Sequence, residues 1–202
     1  SAMLEVMQEH QVTIGGQMYK MPEIFTVIAT QNPVEQERTY LRAEAQLDRF
    51  LLKEKLNYPN MEEELTILNR IENNVFDKSK SVVQLDDVVF LQKLVKRVYM
   101  DDSIKKYIIA IINATRYPRN FIAPELAQYV TMGDSTRGAR ALMEVSKARA
   151  IMCGRNYVTP DDVKALIYSV LRHRIALNYA AVADDITQEH IINAILGAVS
   201  TP

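Results

Sequence analysis

Hydrophobic and polar positions divide the chain into two parts with different periods. Residues 1–56 mix strand patterns with helical ones, whereas residues 60–202 repeat a helical pattern almost throughout. The segment 57–60 separates them, because its proline, Pro59, and the residue before a proline both disfavour helix. We therefore expect two domains, a partial α/β unit over residues 1–56 and an α-helical domain over residues 57–202.

The first part carries the signals of a helix end, a hairpin and a buried strand. The helix end lies near Leu4 and Met7, and Gln11–Ile14 and Gln17–Lys20 then flank two glycines that accept the positive φ angles of a tight turn. Residues 24–29 are an almost continuous β-branched run, typical of a strand buried on both faces of a parallel sheet. A proline ends this run and so leaves Asn32 at the carboxyl end of the predicted strand. A short helix over residues 43–50 and a strand-like stretch over residues 51–56 are expected to follow.

Capping signals mark the helices of the second part. Thr159 precedes Pro160 and two aspartates, the pattern of an N-cap, a first helical position and an acidic first turn. Gly154 is placed to end the helix before it, and aspartates are expected to cap the second and third helices. The predicted helices cover residues 61–71, 86–100, 102–115 and 135–153, one beginning after Thr159, and 188–199.

Composition excludes several classes of protein. Apolar residues make up 48% and charged residues 24% of the 202 residues, which is typical of a folded globular chain. The net charge of −1 argues against a dedicated nucleic-acid binder. The best apolar run, residues 107–114, is far shorter than the roughly 20 residues of a membrane span. A single cysteine, Cys153, and an acidic N-terminus without a signal-peptide pattern predict a cytoplasmic location.

Motifs for metal or phosphate binding are not found in the sequence itself. The three histidines are far apart, so no metal site is predicted. The run over residues 82–87 imitates a strand followed by a metal-binding acid pair, but Gln84 interrupts it and the aspartates suit a helix start better. No G-x-x-x-x-G-K-[ST] phosphate-binding loop occurs in these residues.

Residues 24–50, IFTVIATQNPVEQERTYLRAEAQLDRF, closely resemble the MoxR branch of the AAA+ ATPases, with its ATQNP, EQEGTYPLPEAQ and LDRF segments. The preceding LEVMQEHQVTIGG is similar to the helix and hairpin that follow the family's Walker B segment. GDSTRGARAL, GRNYVTPDDVKAL and VLRHRIAL resemble the family's lid motifs, in the same order, so the likeness runs from Leu4 to about Leu177. Arg38 replaces the family's usual glycine, and residues 41–43 replace Pro-Leu-Pro, which leaves the path of that loop open.

The resemblance implies a mainly α fold with a partial α/β core: the C-terminal part of a P-loop AAA+ ATPase domain followed by its α-helical lid. It also implies ATP hydrolysis that drives chaperone-like remodelling or maturation of a client protein in a homo-oligomeric ring, expected to be a hexamer. ATP and Mg²⁺ would be held by residues upstream of Ser1, so the chain alone is predicted to be inactive. Two alternatives stay open, a non-catalytic helical docking module and a magnesium-chelatase-like motor subunit.

Four residues match the family's functional positions. Asn32 resembles the sensor-1 amide that touches the γ-phosphate and the attacking water; the alternative is a turn cap before proline. Arg49 resembles the arginine finger that reaches a neighbour's ATP; the alternative is a surface salt bridge, although no carboxylate lies three or four positions from it in its predicted helix. Arg137 corresponds to the sensor-2 arginine of the lid, with Arg140 as second choice and a local ion pair from Arg137 to Asp134 as the alternative.

Overall fold

The computed structural model describes residues 6–7, 11–31, 47–75 and 79–202, which are mostly helical with two small antiparallel sheets. The helices are α1 Met61–Glu72, α2 Leu85–Lys96, α3 Asp102–Arg116, α4 Pro124–Ala127, α5 Thr136–Met152, α6 Pro160–Leu171, α7 Tyr179–Ala183 and α8 Gln188–Ala198. The strands are β1 Gln11–Ile14, β2 Gln17–Lys20, β3 Val130–Met132 and β4 Ala176–Leu177, and a 3-10 turn covers Pro118–Asn120. Within these ranges no helix is both long and apolar enough to span a bilayer.

The predicted hairpin is confirmed. Strands β1 and β2 pair antiparallel, with Gln11 opposite Lys20 and Ile14 opposite Gln17. Gly15 and Gly16 take φ angles of 59° and 81°, the two positive values that this tight turn requires.

The two further strands predicted in the first part are wrong. Residues 21–31 and 51–60 contain no regular secondary structure, and the Ile28 side chain is 88% exposed. A strand of a parallel sheet needs a hydrogen-bonding neighbour and cover on both faces. No described segment pairs with residues 24–29, so the β-branched pattern alone does not produce a strand. Asn32 and the first half of the predicted helix over residues 43–50, residues 43–46, lie outside the described residues.

Most of the predicted helix ends are confirmed by their caps. The Ser135 hydroxyl accepts the Arg137 N–H and begins α5, while Gly154 follows that helix with a φ of 72°. Thr159 caps α6 with Pro160 in the first turn. The aspartate cap predicted for α2 is wrong: Gln84 is the N-cap, and the Asp87 carboxylate accepts its N–H at 2.8 Å.

Helix α2 also ends at Lys96, before the predicted end at residue 100. Val98 and Met100 are buried, and Tyr99 between them pairs with Tyr157 in an isolated bridge. An alternating buried and exposed pattern is that of an extended segment, so the chain leaves the helix here to cover the core.

The core lies among α3, α5, α6 and α8. These helices supply side chains with at most 2% exposure, whereas α1 and α2 bury none of theirs. The short strands β3 and β4, which the sequence pattern did not predict, place residues 133–135 beside residues 172–175. The fully buried side chains include Ile111, Leu142, Ile167, Leu171, Ile191 and Ile195.

Candidate functional site

Arg49 lies in the segment that joins the first part of the chain to the helical domain. Its side chain is half-buried, and its Nη1 atom is buried without a hydrogen-bond partner among the described residues. A buried cationic donor without an acceptor costs free energy. Since Asn32 lies outside the described residues, its distance to Arg49 is not defined.

Asp48, the residue before Arg49, binds two arginines of the helical domain. Its Oδ2 lies 2.9 Å from Arg137 Nη1, and its Oδ1 lies 3.2 Å from Arg174 Nε. Ser135, the N-cap of α5, adds a hydroxyl at 3.4 Å from Oδ2. Arg137 therefore pairs across the fold with Asp48 and not with Asp134, the local partner considered from the sequence.

A cavity of about 210 Å³ lies beside these groups, which form part of its lining. Loop residues 133–135, the start of α5 and the turn after α6 form its walls, which carry both carboxylates and cations. Its polar lining comes from Asp48, Asp134, Ser135, Arg137, His173 and Arg174. The sequence did not identify three of these lining residues as functional candidates: Asp48, Asp134 and Arg174. Two of them nevertheless lie in the lid motifs, Asp134 in GDSTRGARAL and Arg174 in VLRHRIAL.

Asp134 is held in the loop by its backbone and is 2% exposed. Its N–H donates to the Thr115 hydroxyl at 2.9 Å, its carbonyl accepts from Arg116, and its Oδ1 accepts the Ser135 N–H. Within the described ranges its Oδ2 has no hydrogen-bond partner, and it lies against Gly138, where an added Cβ would overlap it. Burial raises the pKa of Asp134 to about 7, although the nearby guanidinium of Arg174 acts in the opposite direction.

His173 is buried beside Arg174 and is neutral at physiological pH. Burial, with the adjacent Arg174 charge, lowers the pKa of His173 to about 4. Its Nε2 lies 3.0 Å from the Phe50 carbonyl oxygen, which can only accept a hydrogen bond. The ring proton is therefore on Nε2, and Nδ1 is an acceptor that has no partner among the residues the structure describes.

Arg140, the second sequence-based candidate for sensor 2, points elsewhere. It pairs with Glu144 at 2.8 Å, one turn along α5, and its side chain is 76% exposed. Of the two candidates, only Arg137 lines the cavity beside Asp48.

The shifted pKa values of Asp134 and His173 predict opposite pH dependences of stability. The folded-state pKa of Asp134 is raised from 3.8 to about 7, so its contribution to the free energy of unfolding falls as pH rises through this window. Asp134→Asn keeps an acceptor for the Ser135 N–H but does not titrate. The stability of the variant relative to the wild type is expected to rise with pH by up to about 4 kcal/mol, since one pKa unit is about 1.4 kcal/mol. Urea unfolding at several pH values measures this difference.

His173→Gln is the matched control with the opposite sign. Because the His173 pKa is lowered from 6.5 to about 4, its contribution to stability is lost as pH falls through that window. The stability of the Gln variant relative to the wild type should therefore rise as pH falls. Parallel pH profiles for wild type and Asp134→Asn would contradict the raised Asp134 pKa.

Two family models match successive parts of the chain. Residues 1–52 match the model of the ATPase family associated with various cellular activities, and residues 123–195 match the AAA lid domain. The whole chain is 39% identical to the chaperone MoxR1 of Mycobacterium tuberculosis and 41% identical to the uncharacterized protein YeaC of Bacillus subtilis. The chain spans 53% of the length of the first relative and 61% of the second.

A solved structure shares the fold as well. The chain superposes on an ATPase candidate from Cytophaga hutchinsonii with a TM-score of 0.90 and 43% sequence identity, over 99% of this chain and 61% of that one. The ATPase-family model and the lid model match successive parts of the chain, the two relatives align with all of it, and the structural match is nearly complete. The chain therefore belongs to the MoxR family of AAA+ ATPases.

Proposed function

We propose that this chain supplies the arginine finger and the phosphate-sensing residues of an ATP-hydrolysing ring motor that remodels or matures client proteins. The observation that carries the proposal is the position of Arg49 directly after Asp48, the residue that binds the lid. Arg49 has a buried guanidinium nitrogen without an acceptor in the described part of the chain, and the adjacent Asp48 binds the lid residue Arg137. The finger candidate thus follows directly the residue whose carboxylate binds the sensor-2 candidate.

Arg49 acts in this proposal on the ATP of a neighbouring subunit. A guanidinium stabilises the charge that spreads over the transferring phosphoryl group, and its planar fork suits phosphate oxygens. A phosphate from a second subunit would supply the acceptor that Arg49 Nη1 lacks among the described residues. A finger that acts in trans requires a ring, and we propose a homohexamer.

Asn32 is proposed as the sensor-1 residue on the basis of the TQNP sequence alone. An amide can donate to the γ-phosphate and accept from the attacking water, which are the two positioning tasks of the reaction. Residues 1–56 are the proposed end of the ATPase core, and residues 57–202 are the proposed lid.

Nucleotide and Mg²⁺ are proposed to bind mainly to residues outside this chain. The sequence contains no phosphate-binding loop, and the described residues contain no group of three or more His, Cys, Asp or Glu that suits a metal. The 202-residue chain alone is accordingly expected neither to bind ATP tightly nor to hydrolyse it. We place the motor in the cytoplasm, and its client is a protein of undefined identity.

A docking module without catalysis is the second candidate, and one observation favours it. Helix α1 buries none of its side chains, and Leu65, Leu68 and Ile71 are each more than half exposed along it. An apolar helix face of this kind suits a protein partner.

Replacement of Arg49 by alanine in the full-length protein tests the two candidates together. The motor requires loss of ATP turnover while ring assembly, measured by light scattering, is retained. The docking module requires client binding that is unchanged by the substitution and independent of nucleotide. Normal turnover by Arg49→Ala would overturn the proposed motor function.

A second pair of variants tests which of Arg137 and Arg140 is the sensor-2 residue. Arg137 lines the cavity and Arg140 is paired in solvent. Arg137→Ala is therefore expected to lower the turnover number about 100-fold, the lower end of the effect of losing one electrostatic contact in the transition state. Arg140→Ala, its matched control on the same helix, should stay within about twofold, since exposed ion pairs contribute little. The reverse ranking in a steady-state ATPase assay would assign sensor 2 to Arg140.

A further inference from the structure

The lid motif VLRHRIAL has no role in the proposed chemistry, yet its three central residues contact the segment that carries Arg49. Arg172, His173 and Arg174 follow α6 directly and lie beside residues 48–53. Both arginines and the histidine direct their donors at backbone carbonyls of that segment. Residues 51–60 have no regular structure that would otherwise satisfy the Leu51 and Lys53 carbonyls.

Arg174 makes the most of these contacts and is 5% exposed. Its Nη2 donates to the Phe50 carbonyl at 2.6 Å and to the Asp48 carbonyl at 3.4 Å, and its Nη1 donates to the Leu51 carbonyl at 3.3 Å. Its Nε meets the Asp48 carboxylate at 3.2 Å, and its Nη1 also donates to the Val170 carbonyl of α6. One buried side chain thus holds the peptide groups on both sides of Arg49.

Two further bonds keep the same segment in place. His173 Nε2 donates to the Phe50 carbonyl, and Arg172 Nη1 donates to the Lys53 carbonyl at 3.0 Å. The Lys53 N–H in turn donates to the Ser169 carbonyl of α6 at 2.8 Å. These bonds attach the backbone of the segment to the end of α6, and they do not involve the segment's own side chains.

We propose that Arg174 is a positioning residue for Arg49: it fixes the backbone at residues 48–51 so that the Arg49 guanidinium is presented in one orientation to a neighbouring subunit. The proposal rests on the proposed role of Arg49 as a finger. Hydrogen bonds from a rigid, planar guanidinium to several carbonyls define position and direction together, which a flexible ammonium cannot do. Because misplacement of a catalytic group by about 1 Å can cost about 100-fold in rate, the anchor affects turnover without touching ATP.

The test is Arg174→Lys in the full-length protein, with ATP turnover, KM and assembly measured. Lysine keeps the charge but can serve only part of the carbonyl set. The expected result is a turnover number lowered about 10- to 100-fold, with KM for ATP and ring assembly within about twofold of the wild type. Turnover of the wild-type magnitude would overturn the proposal.

A double variant separates positioning from general damage to the fold. If Arg174 acts through Arg49, adding Arg174→Lys to Arg49→Ala should lower turnover no further, because the positioned group is already absent. If the two losses instead multiply, Arg174 acts by another route and the proposal fails. Normal turnover by Arg49→Ala alone would reject the finger itself, which is a different outcome.

Arg155→Lys is the matched control. Arg155 also makes a bidentate ion pair with a buried carboxylate, Asp162, and donates to the Tyr157 carbonyl, but none of these bonds reaches residues 48–53. The Arg155→Lys variant should have a lower melting temperature than the wild type but an unchanged turnover number. A turnover loss in Arg155→Lys equal to that in Arg174→Lys would show that loosening the lid anywhere is sufficient, against the proposal.

His173→Leu is an alternative test of the positioning role if Arg174→Lys does not fold. Leucine suits the buried position but removes one of the two donors to the Phe50 carbonyl. A turnover loss of about 3- to 10-fold, smaller than that expected for the arginine, again absent in the Arg49→Ala background, supports the positioning role. Unchanged turnover, or a loss that multiplies with that of Arg49→Ala, contradicts it.

Discussion

Arg49→Ala is expected to lower the turnover number of the full-length ATPase by about 1,000-fold, the lower end of the effect of an arginine finger. The physical reason is the loss of the proposed finger, whose guanidinium would stabilise transition-state charge on the γ-phosphoryl group. Nucleotide affinity should change little, because a finger from another subunit contributes mainly in the transition state. A coupled ATPase assay and a nucleotide titration measure the two quantities separately.

Two controls make this result specific. Arg119→Ala removes an exposed arginine of the 3-10 turn and should leave turnover within about twofold, as expected for a surface substitution. Mixed rings test action in trans: subunits that carry Arg49→Ala are combined with subunits that hold an intact finger but cannot bind nucleotide. Each kind alone is inactive, and the mixture should recover activity at interfaces where an intact finger meets an intact site. A mixture that stays inactive while it assembles would rule out a finger in trans.

Local signals in the sequence were sufficient for most helices and for the hairpin. A cap is decided by residues within one turn of it, so Ser135, Thr159 and Gly154 identify their helix ends without knowledge of the rest of the fold. The same holds for the two glycines of the β1–β2 turn, whose positive φ angles depend on the turn alone. Helix α2 shows the limit, because its end is set by the burial of Val98 and Met100 and not by a cap.

Strands depend on partners that the local pattern does not contain. Residues 24–29 have the composition of a buried strand, but among the described residues no strand lies beside them and Ile28 is exposed. Conversely, β3 and β4 are only three and two residues long and pair across the helical domain. Neither has enough residues for an alternating pattern, so their pairing could not be predicted.

The site shows the same division between local and distant contacts. The sequence identified Arg137 as a candidate but offered only Asp134 as its partner, because helix spacing brings residues three apart together. In the structure Asp134 is buried and the partner is Asp48, far along the chain. The roles of Arg172, His173 and Arg174 also depend on a distant segment, so the sequence could show their motif but not their contacts.

Gly133→Ala is expected to reduce the free energy of unfolding of the chain by about 3 kcal/mol, the upper end of the range for overpacking. A Cβ on Gly133 would overlap the Thr115 carbonyl and lie 2.6 Å from the Arg116 nitrogen, both main-chain groups at the end of α3. Backbone cannot move aside as a flexible side chain can. The close approach also allows the Thr115 hydroxyl to accept the Asp134 N–H, so a shift of this loop weakens a buried hydrogen bond as well. Urea unfolding followed by circular dichroism gives the difference.

Gly197→Ala is the matched substitution with the opposite expected sign. Gly197 lies inside α8, and an added Cβ there meets no atom within 4 Å. Alanine has the higher helix propensity, so the variant should gain up to about 1 kcal/mol. Because the two substitutions add the same methyl group, a difference between them isolates the contact with α3 from any general effect of replacing glycine. Equal stabilities for the two variants would mean that the loop at residue 133 adjusts freely, and then the cavity beside Arg137 would not be held in the shape described above.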